Sequence, residues 1–256
     1  MQSGRWLPNK LHVLLLLAAG LMPSVATSQT TLAAHDARSS AMGGCFMPDT
    51  SGRCLRVAWR GQYLLPGLAD RHLAVALPAG RTGLATMGYT HHGNADYHRQ
   101  QASAGYTLRA AAWLRMGAAV GVDFTGTSNP DYETRLHAAA EAYACATVAD
   151  GLTLTLLAGS HPEQLRPRRR LAAQAAYTAA RLTTVAEAEL TDRVRARIGM
   201  EYNYRETLFV RAGLSTAPLT VGGGLGFGLG RYSLDIGIEE HPVLGLSPHL
   251  ALTLCF

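Results

Sequence analysis

The chain has 256 residues, of which 48% are hydrophobic and 16% charged, and Lys10 is its only lysine. Beyond residue 28 the basic residues are therefore all arginines, 21 of them against 18 acidic residues. The resulting charge of +3 is too slight and too dispersed for a nucleic-acid-binding surface. Cys45, Cys54, Cys145 and Cys255 include no C-x-x-C pair and no histidine at metal-ligand spacing, so no zinc site and no cofactor is expected.

The N-terminus has the order of a secretory signal. Cationic Arg5 and Lys10 precede an apolar run from Leu11 to Leu21, followed by small residues around Ala26 and Ser28. Residues 1–28 are read as the signal peptide, with a mature start near Thr27 or Gln29. An uncleaved anchor is the competing reading, but the apolar run is about half the ~20 residues that span a bilayer. Residues 29–70 are expected to form a periplasmic or plug-like segment, and 71–256 a single barrel without linkers. In an oxidising compartment Cys45 and Cys54 either bridge or stay as small buried thiols, while Cys145 and Cys255 fall within strand patterns.

From there on the dominant pattern has a period of two. Strands are expected near 72–77, 82–90, 97–109, 112–125, 133–148, 151–160, 168–180, 181–191, 193–204, 206–215, 218–229, 231–239 and 247–256. Bacterial barrels take even strand numbers. A weak segment at Leu55–Tyr63 raises the count to fourteen, and discarding 72–77 lowers it to twelve; the higher figure is the expectation. The fold class is thus all-β, a closed antiparallel transmembrane β-barrel. Several strands exceed ten residues, the length a tilted strand needs to cross a bilayer, whereas a secreted β-sandwich, the alternative, uses strands of about 5–6.

Within these strands the two faces differ in chemistry. Leu114, Met116, Ala118, Val120 and Val122 oppose Arg115, Gly117, Gly121 and Asp123. The alanine-rich segments Leu136–Val148 and Leu171–Arg181 have helix propensity but alternate, and a lone helix would break a closed barrel. From Arg193 to Arg205, Val194, Ala196, Ile198, Met200, Tyr202 and Tyr204 share one face, and Arg193, Arg195, Arg197, Glu201 and Asn203 the other. A helical step of 100° would scatter those arginines around the axis. Placing them toward lipid costs about 2–4 kcal/mol each near the bilayer midplane, so they are assigned to the lumen. Val194, Ile198 and Met200 then face lipid, and Tyr202 and Tyr204 an interfacial girdle.

The run Val221–Gly230 matches no phosphate-loop pattern. Its glycines at 222, 224, 226, 228 and 230 clear one face of a strand, either to let the sheet bend or to admit something bulky, and bending is the preferred reading. The last strand sets Leu250, Leu252, Leu254 and Phe256 against Ala251, Thr253 and Cys255.

The close of the chain, Glu240-His241-Pro242-Val243-Leu244-Gly245-Leu246-Ser247-Pro248-His249 and the terminal strand ending on Phe256, resembles that of outer-membrane barrels. There a C-terminal aromatic is the signal read by the assembly machinery, a role this resemblance gives to Phe256. Ala37-Arg38-Ser39-Ser40-Ala41-Met42-Gly43-Gly44 resembles the opening of the PorV/PorQ-like and FadL-like barrels of Bacteroidetes, and Gly88-Tyr89 through Gly105-Tyr106 a hairpin region of the same group. Where those families commonly continue with Asn-Pro-Ala-Gly, this chain has Leu64-Leu65-Pro66-Gly67-Leu68. The resemblance implies a non-enzymatic protein of the outer membrane, engaged in transport or in secretion-associated scaffolding. Its partners would be membrane lipid, the barrel assembly machinery and secretion-system components.

No nucleophile, base or metal set assembles from the sequence. His91, His92, His98, His161, His241 and His249 fall at expected turns or strand ends, where solvated histidines are the favoured reading over a catalytic cluster. The candidate lumen-lining residues are Arg109, Arg115, Arg193, Arg195, Arg197, Arg211, Arg231, Glu201 and Asp235, with Asp123, Glu141, Glu187, Glu189 and Glu239 on the same faces. They either line an open, anion-favouring pore or fill a closed lumen as ion pairs.

Overall fold

Alternating side chains, with one apolar face and one polar face, give strands that can close only by burying both sheet edges. The computed structural model describes residues 36–46, 52–65, 67–94, 96–128, 134–163, 166–191 and 193–256. Residues 1–28, read above as the signal peptide, lie outside these. Fourteen strands form a closed barrel in which each is antiparallel to its chain neighbours and the first pairs with the last. They are β1 (Cys54–Gly61), β2 (Ala69–Ala79), β3 (Gly83–Gly93), β4 (Tyr97–Ala111), β5 (Leu114–Thr127), β6 (Arg135–Ala149) and β7 (Leu152–Glu163). The second half comprises β8 (Arg166–Ala179), β9 (Leu182–Leu190), β10 (Val194–Tyr204), β11 (Leu208–Ser215), β12 (Thr220–Leu229), β13 (Tyr232–His241) and β14 (Gly245–Cys255).

The barrel therefore begins at Cys54 and not at residue 71. The weak Leu55–Tyr63 segment is a full barrel strand because it closes the cylinder, pairing with β14 from Cys54↔Cys255 to Arg60↔His249 and with β2 on its other edge. Both alanine-rich segments are strands, β6 and β8.

The two ends of the barrel differ. At the end carrying Cys54 and Cys255, turns are as short as Ala112-Trp113, Asp150-Gly151 and Gly230-Arg231. Gly151 sits at φ +74°, and a Cβ there would lie 2.3 Å from the Thr178 carbonyl oxygen, so this turn requires glycine. The opposite end carries the longer connections 62–68 and 128–134. In outer-membrane barrels short turns face the periplasm and long loops the exterior.

The outer wall is apolar: Val57, Leu73, Met87, Val120, Leu136, Ile198, Met200, Val210, Ile236 and Leu252 are all exposed on it. Polar residues lie inward. One short helix, α1 (Ala37–Ala41), is enclosed in the barrel and packs against β11–β14. Asp36 caps it, accepting from the Arg38 amide at 3.1 Å.

Candidate functional site: a plugged, charge-lined lumen

The helix and its continuation to Phe46 lie in a trough of glycines. A Cβ at Gly222 would meet the Ser40 carbonyl at 2.6 Å, one at Gly224 the Ala41 methyl at 2.7 Å, and one at Gly213 the Gly43 amide at 2.1 Å. The glycine-cleared face of β12 thus admits a bulky element, which corrects the preference for sheet bending; the occupant is the chain's own N-terminal segment. Main-chain contact at these distances leaves no room for any side chain.

Side chains clamp both ends of this plug. Arg38 donates to Glu201 through Nε at 2.8 Å and Nη2 at 2.7 Å. Arg56 Nη1 lies 3.3 Å from Asp36 Oδ2. At the other end the Phe46 amide donates to Glu187 at 2.7 Å, and Gln174 Nε2 donates to the Phe46 carbonyl at 2.6 Å. Burial opposes the charge on Arg38, but the attraction and hydrogen bonds of Glu201 outweigh it and its pKa is raised, so the clamp stays ionised. Cys45 is a buried free thiol, so the bridge to Cys54 is not made. Burial, reinforced by Glu187, pushes its pKa up to about 12.

Around the plug the lumen is filled by ion pairs. Arg197 bonds Glu187 and, at 2.9 Å, Glu189; Arg170 Nε donates to Glu189 at 2.8 Å. Arg211 joins Glu201 at 2.6 Å to Asp235 at 2.5 Å, and so couples the Arg38 clamp to β13. Elsewhere Arg99 Nε donates to both Asp123 oxygens at 2.8 Å, His92 Nδ1 lies 2.5 Å from Asp70, and Arg60 lies 3.3 Å from Glu239. Removing one member of such a buried pair leaves an uncompensated charge, so these side chains hold one another in place.

Of the expected lumen residues, Arg197, Arg211, Glu201 and Asp235 come together in this interior. Arg195 sits at the loop-side mouth, with 36% of its side chain exposed, 3.7 Å from Glu189. Arg193 and Arg231 occupy turns, and Arg109 and Arg115, cross-strand partners, are exposed at the short-turn rim. Those four do not join the interior cluster, because each lies where a strand is ending and its side chain reaches water. Val194, Ile198 and Met200 are exposed on the outer wall with Tyr202 and Tyr204 beyond them, and Phe256, also exposed, ends the closing strand. His249 is a further correction: it lies inside β14, buried against the lumen, 3.7 Å from Glu239. His241 does sit at a turn, where Nδ1 accepts from the Val243 and Leu244 amides. The side chain of His161 is outside the described residues.

Sequence reasoning missed Asp36, Arg38, Arg170 and Gln174 as members of the site. For Arg38 a signal existed, since a lone Asp-x-Arg in a small-residue segment had to find a partner somewhere. Arg170 and Gln174 carried none, being ordinary inward positions of an alternating strand.

Loop-side of the plug is a recess of about 200 Å³. Gly43, Gly44 and Phe46 form its floor, and Arg60, Arg170, Arg195, Arg197 and Glu239 stand around it.

The fold and this lumen define a closed, fourteen-stranded barrel of the outer-membrane type. No family model matches the chain, and no curated protein matches its sequence. Among solved structures the chain is similar to the monoaromatic hydrocarbon channel CymD, with a TM-score of 0.66 at 9% identity, over 88% of this chain and 98% of that one. It is also similar to the toluene transporter TodX of Pseudomonas putida, with a TM-score of 0.65 at 12% identity, over 88% and 99%. At such identity the likeness is one of fold: it supports an outer-membrane barrel in general and does not extend to the PorV/PorQ-like or FadL-like group of Bacteroidetes.

Proposed function

We propose that the protein is a non-enzymatic outer-membrane transport barrel, closed at rest by its segment Asp36–Phe46, whose outer vestibule favours small anions. The observation that carries the reading is the plug. It adds no strand to the sheet, lies in a trough shaped for it, and is held at its ends by bonds to barrel side chains. The apolar outer wall around a charged interior supports residence in the membrane and argues against a secreted sandwich, which has no reason to expose Val57, Met87 and Leu136.

The four arginines around the loop-side recess support the preference for anions, with Arg195 reaching furthest into solvent. CymD and TodX are described as hydrocarbon channels. The charged lining found here favours a polar solute instead, since an apolar one would strip water from ion pairs and return nothing to them. A scaffold role in secretion has no feature of this lumen to support it.

The test is planar-bilayer conductance of the full chain beside a variant lacking residues 36–46. The full chain is expected to stay closed or pass small, intermittent currents, and the plug-less barrel to conduct steadily. Arg195→Gln is expected to weaken the anion preference of the plug-less barrel in a salt gradient. Steady current through the full chain equal to that of the plug-less variant would overturn the reading.

A further inference from the structure

Most strand arginines face inward, where carboxylates meet them, but Arg71 faces outward. On the outer wall it belongs to a cross-strand row that runs Trp59, Arg71, His91, Gln100 and Phe124, each the register partner of the next. Two residues further along the strands, away from the loops, the row is Val57, Leu73, Tyr89, Ala102 and Val122, an apolar stripe capped by a tyrosine. The polar row therefore lies just loop-side of the apolar band, beside exposed Trp59 and Tyr89, where aromatic side chains mark the lipid headgroup level.

Arg71, His91, His98 and Gln100 line a recess of about 530 Å³ with Gly67, Ala69, Gly93 and Asn94. Its chemistry is one-sided. Arg71, His91, His98 and Gln100 supply donors, and among the described residues no carboxylate lines it; nearby Asp70 and Asp123 face the lumen, bonded to His92 and Arg99. The His91 and His98 rings stand parallel, with centroids 6.3 Å apart. Gln100 accepts from the Tyr89 hydroxyl at 3.2 Å through Oε1, which leaves its amide N–H groups to donate elsewhere. His91 Nδ1 is buried and has no hydrogen-bond partner among the described residues, which costs free energy.

We propose that this recess binds the phosphate of a lipid headgroup in the outer leaflet. A guanidinium, two imidazoles and an amide converge on one small space, the combination that suits a phosphate dianion. Acyl chains extending from such a headgroup would run down the Leu73, Met87 and Val122 stripe, which a free anion would leave uncovered. The inference rests on the outer-membrane reading, and the experiment separates the two.

Purified, detergent-solubilised barrel is titrated with a phosphorylated outer-leaflet glycolipid, its dephosphorylated form, and inorganic phosphate, with binding read by native mass spectrometry and by the shift in unfolding temperature. Heat-modifiable migration first establishes that the barrel is folded in detergent; its absence counts against the membrane reading itself. The phosphorylated lipid is expected to bind and stabilise at least roughly tenfold more tightly than either other ligand, the scale of one or two charge-assisted hydrogen bonds. Arg71→Gln with His91→Gln should remove that difference while leaving heat-modifiability intact, and Arg71→Lys should restore part of it. Equal binding of both lipids, an equal effect of inorganic phosphate, or an unaffected double variant would each overturn the proposal.

Discussion

The inner wall facing the plug and the inner wall opposite it use the same residue types under different constraints. Along β9–β13, Glu187, Glu189, Arg197, Glu201 and Arg211 are buried beneath or beside the plug, and each meets two or more partners. Along β3–β5 the inward residues include Ser103, Gly105 and Ala119, half-buried, and one ion pair in which Arg99 keeps 37% of its side chain exposed. Beside the plug the buried charges share partners in a network, whereas on the opposite wall buried Asp123 is met by an arginine that also reaches water.

The largest way to break this comparison is to prevent both walls from forming. Deleting Phe256, or making it charged, is expected to abolish accumulation in the outer membrane while synthesis and export continue. Membrane fractionation checks this, and normal levels of the variant would remove Phe256 from its assembly role. Next in size, Glu187→Ala leaves Glu189 alone between Arg170 and Arg197 and releases the Phe46 amide, with an expected loss of about 3–5 kcal/mol in denaturant unfolding. On the opposite wall Asp123→Ala should cost less, ~1–3 kcal/mol, because Arg99 can turn to water. Equal losses would mean that the plug does not govern burial.

Gly213→Val places methyl groups where Met42 and Gly43 pass. It should dislodge the plug and raise conductance at a stability cost of about 1–3 kcal/mol. Ser103→Val, on the other wall, should leave conductance unchanged. The smallest effect concerns Cys45 in a background where the other cysteines are alanine. Its pKa is pushed up to about 12, so the thiol stays protonated at pH 8 and should alkylate far more slowly than an exposed cysteine. Arg38→Ala should speed the labelling by loosening the plug, and an unchanged rate would mean that Arg38 does not hold it.

The period-two pattern made the barrel legible because the membrane imposes it residue by residue: each strand must show lipid an apolar face whatever its neighbours do. That is why Val194, Ile198 and Met200 could be assigned to lipid, and the alanine-rich β6 and β8 to strands, without a partner in view. The first strand was the weakest pattern, since Cys54–Gly61 is short, and only its pairing with β14 shows that it closes the cylinder. The glycine face of β12 was seen as cleared, but its purpose was not visible. Bending and making room leave the same residues behind, and only the position of Ser40 and Ala41 against Gly222 and Gly224 separates them.

By itself the sequence determined the barrel class, the inward face of its clearest strands and the chemistry of both surfaces, because those follow from local alternation against a uniform lipid. Only the tertiary structure decided that Arg38 meets Glu201, that Glu187 and Glu189 are shared between Arg170 and Arg197, and that residues 36–46 lie inside the barrel. Those contacts join segments up to 163 residues apart in the chain, and the pairing of buried charges depends on barrel closure, which no local pattern encodes.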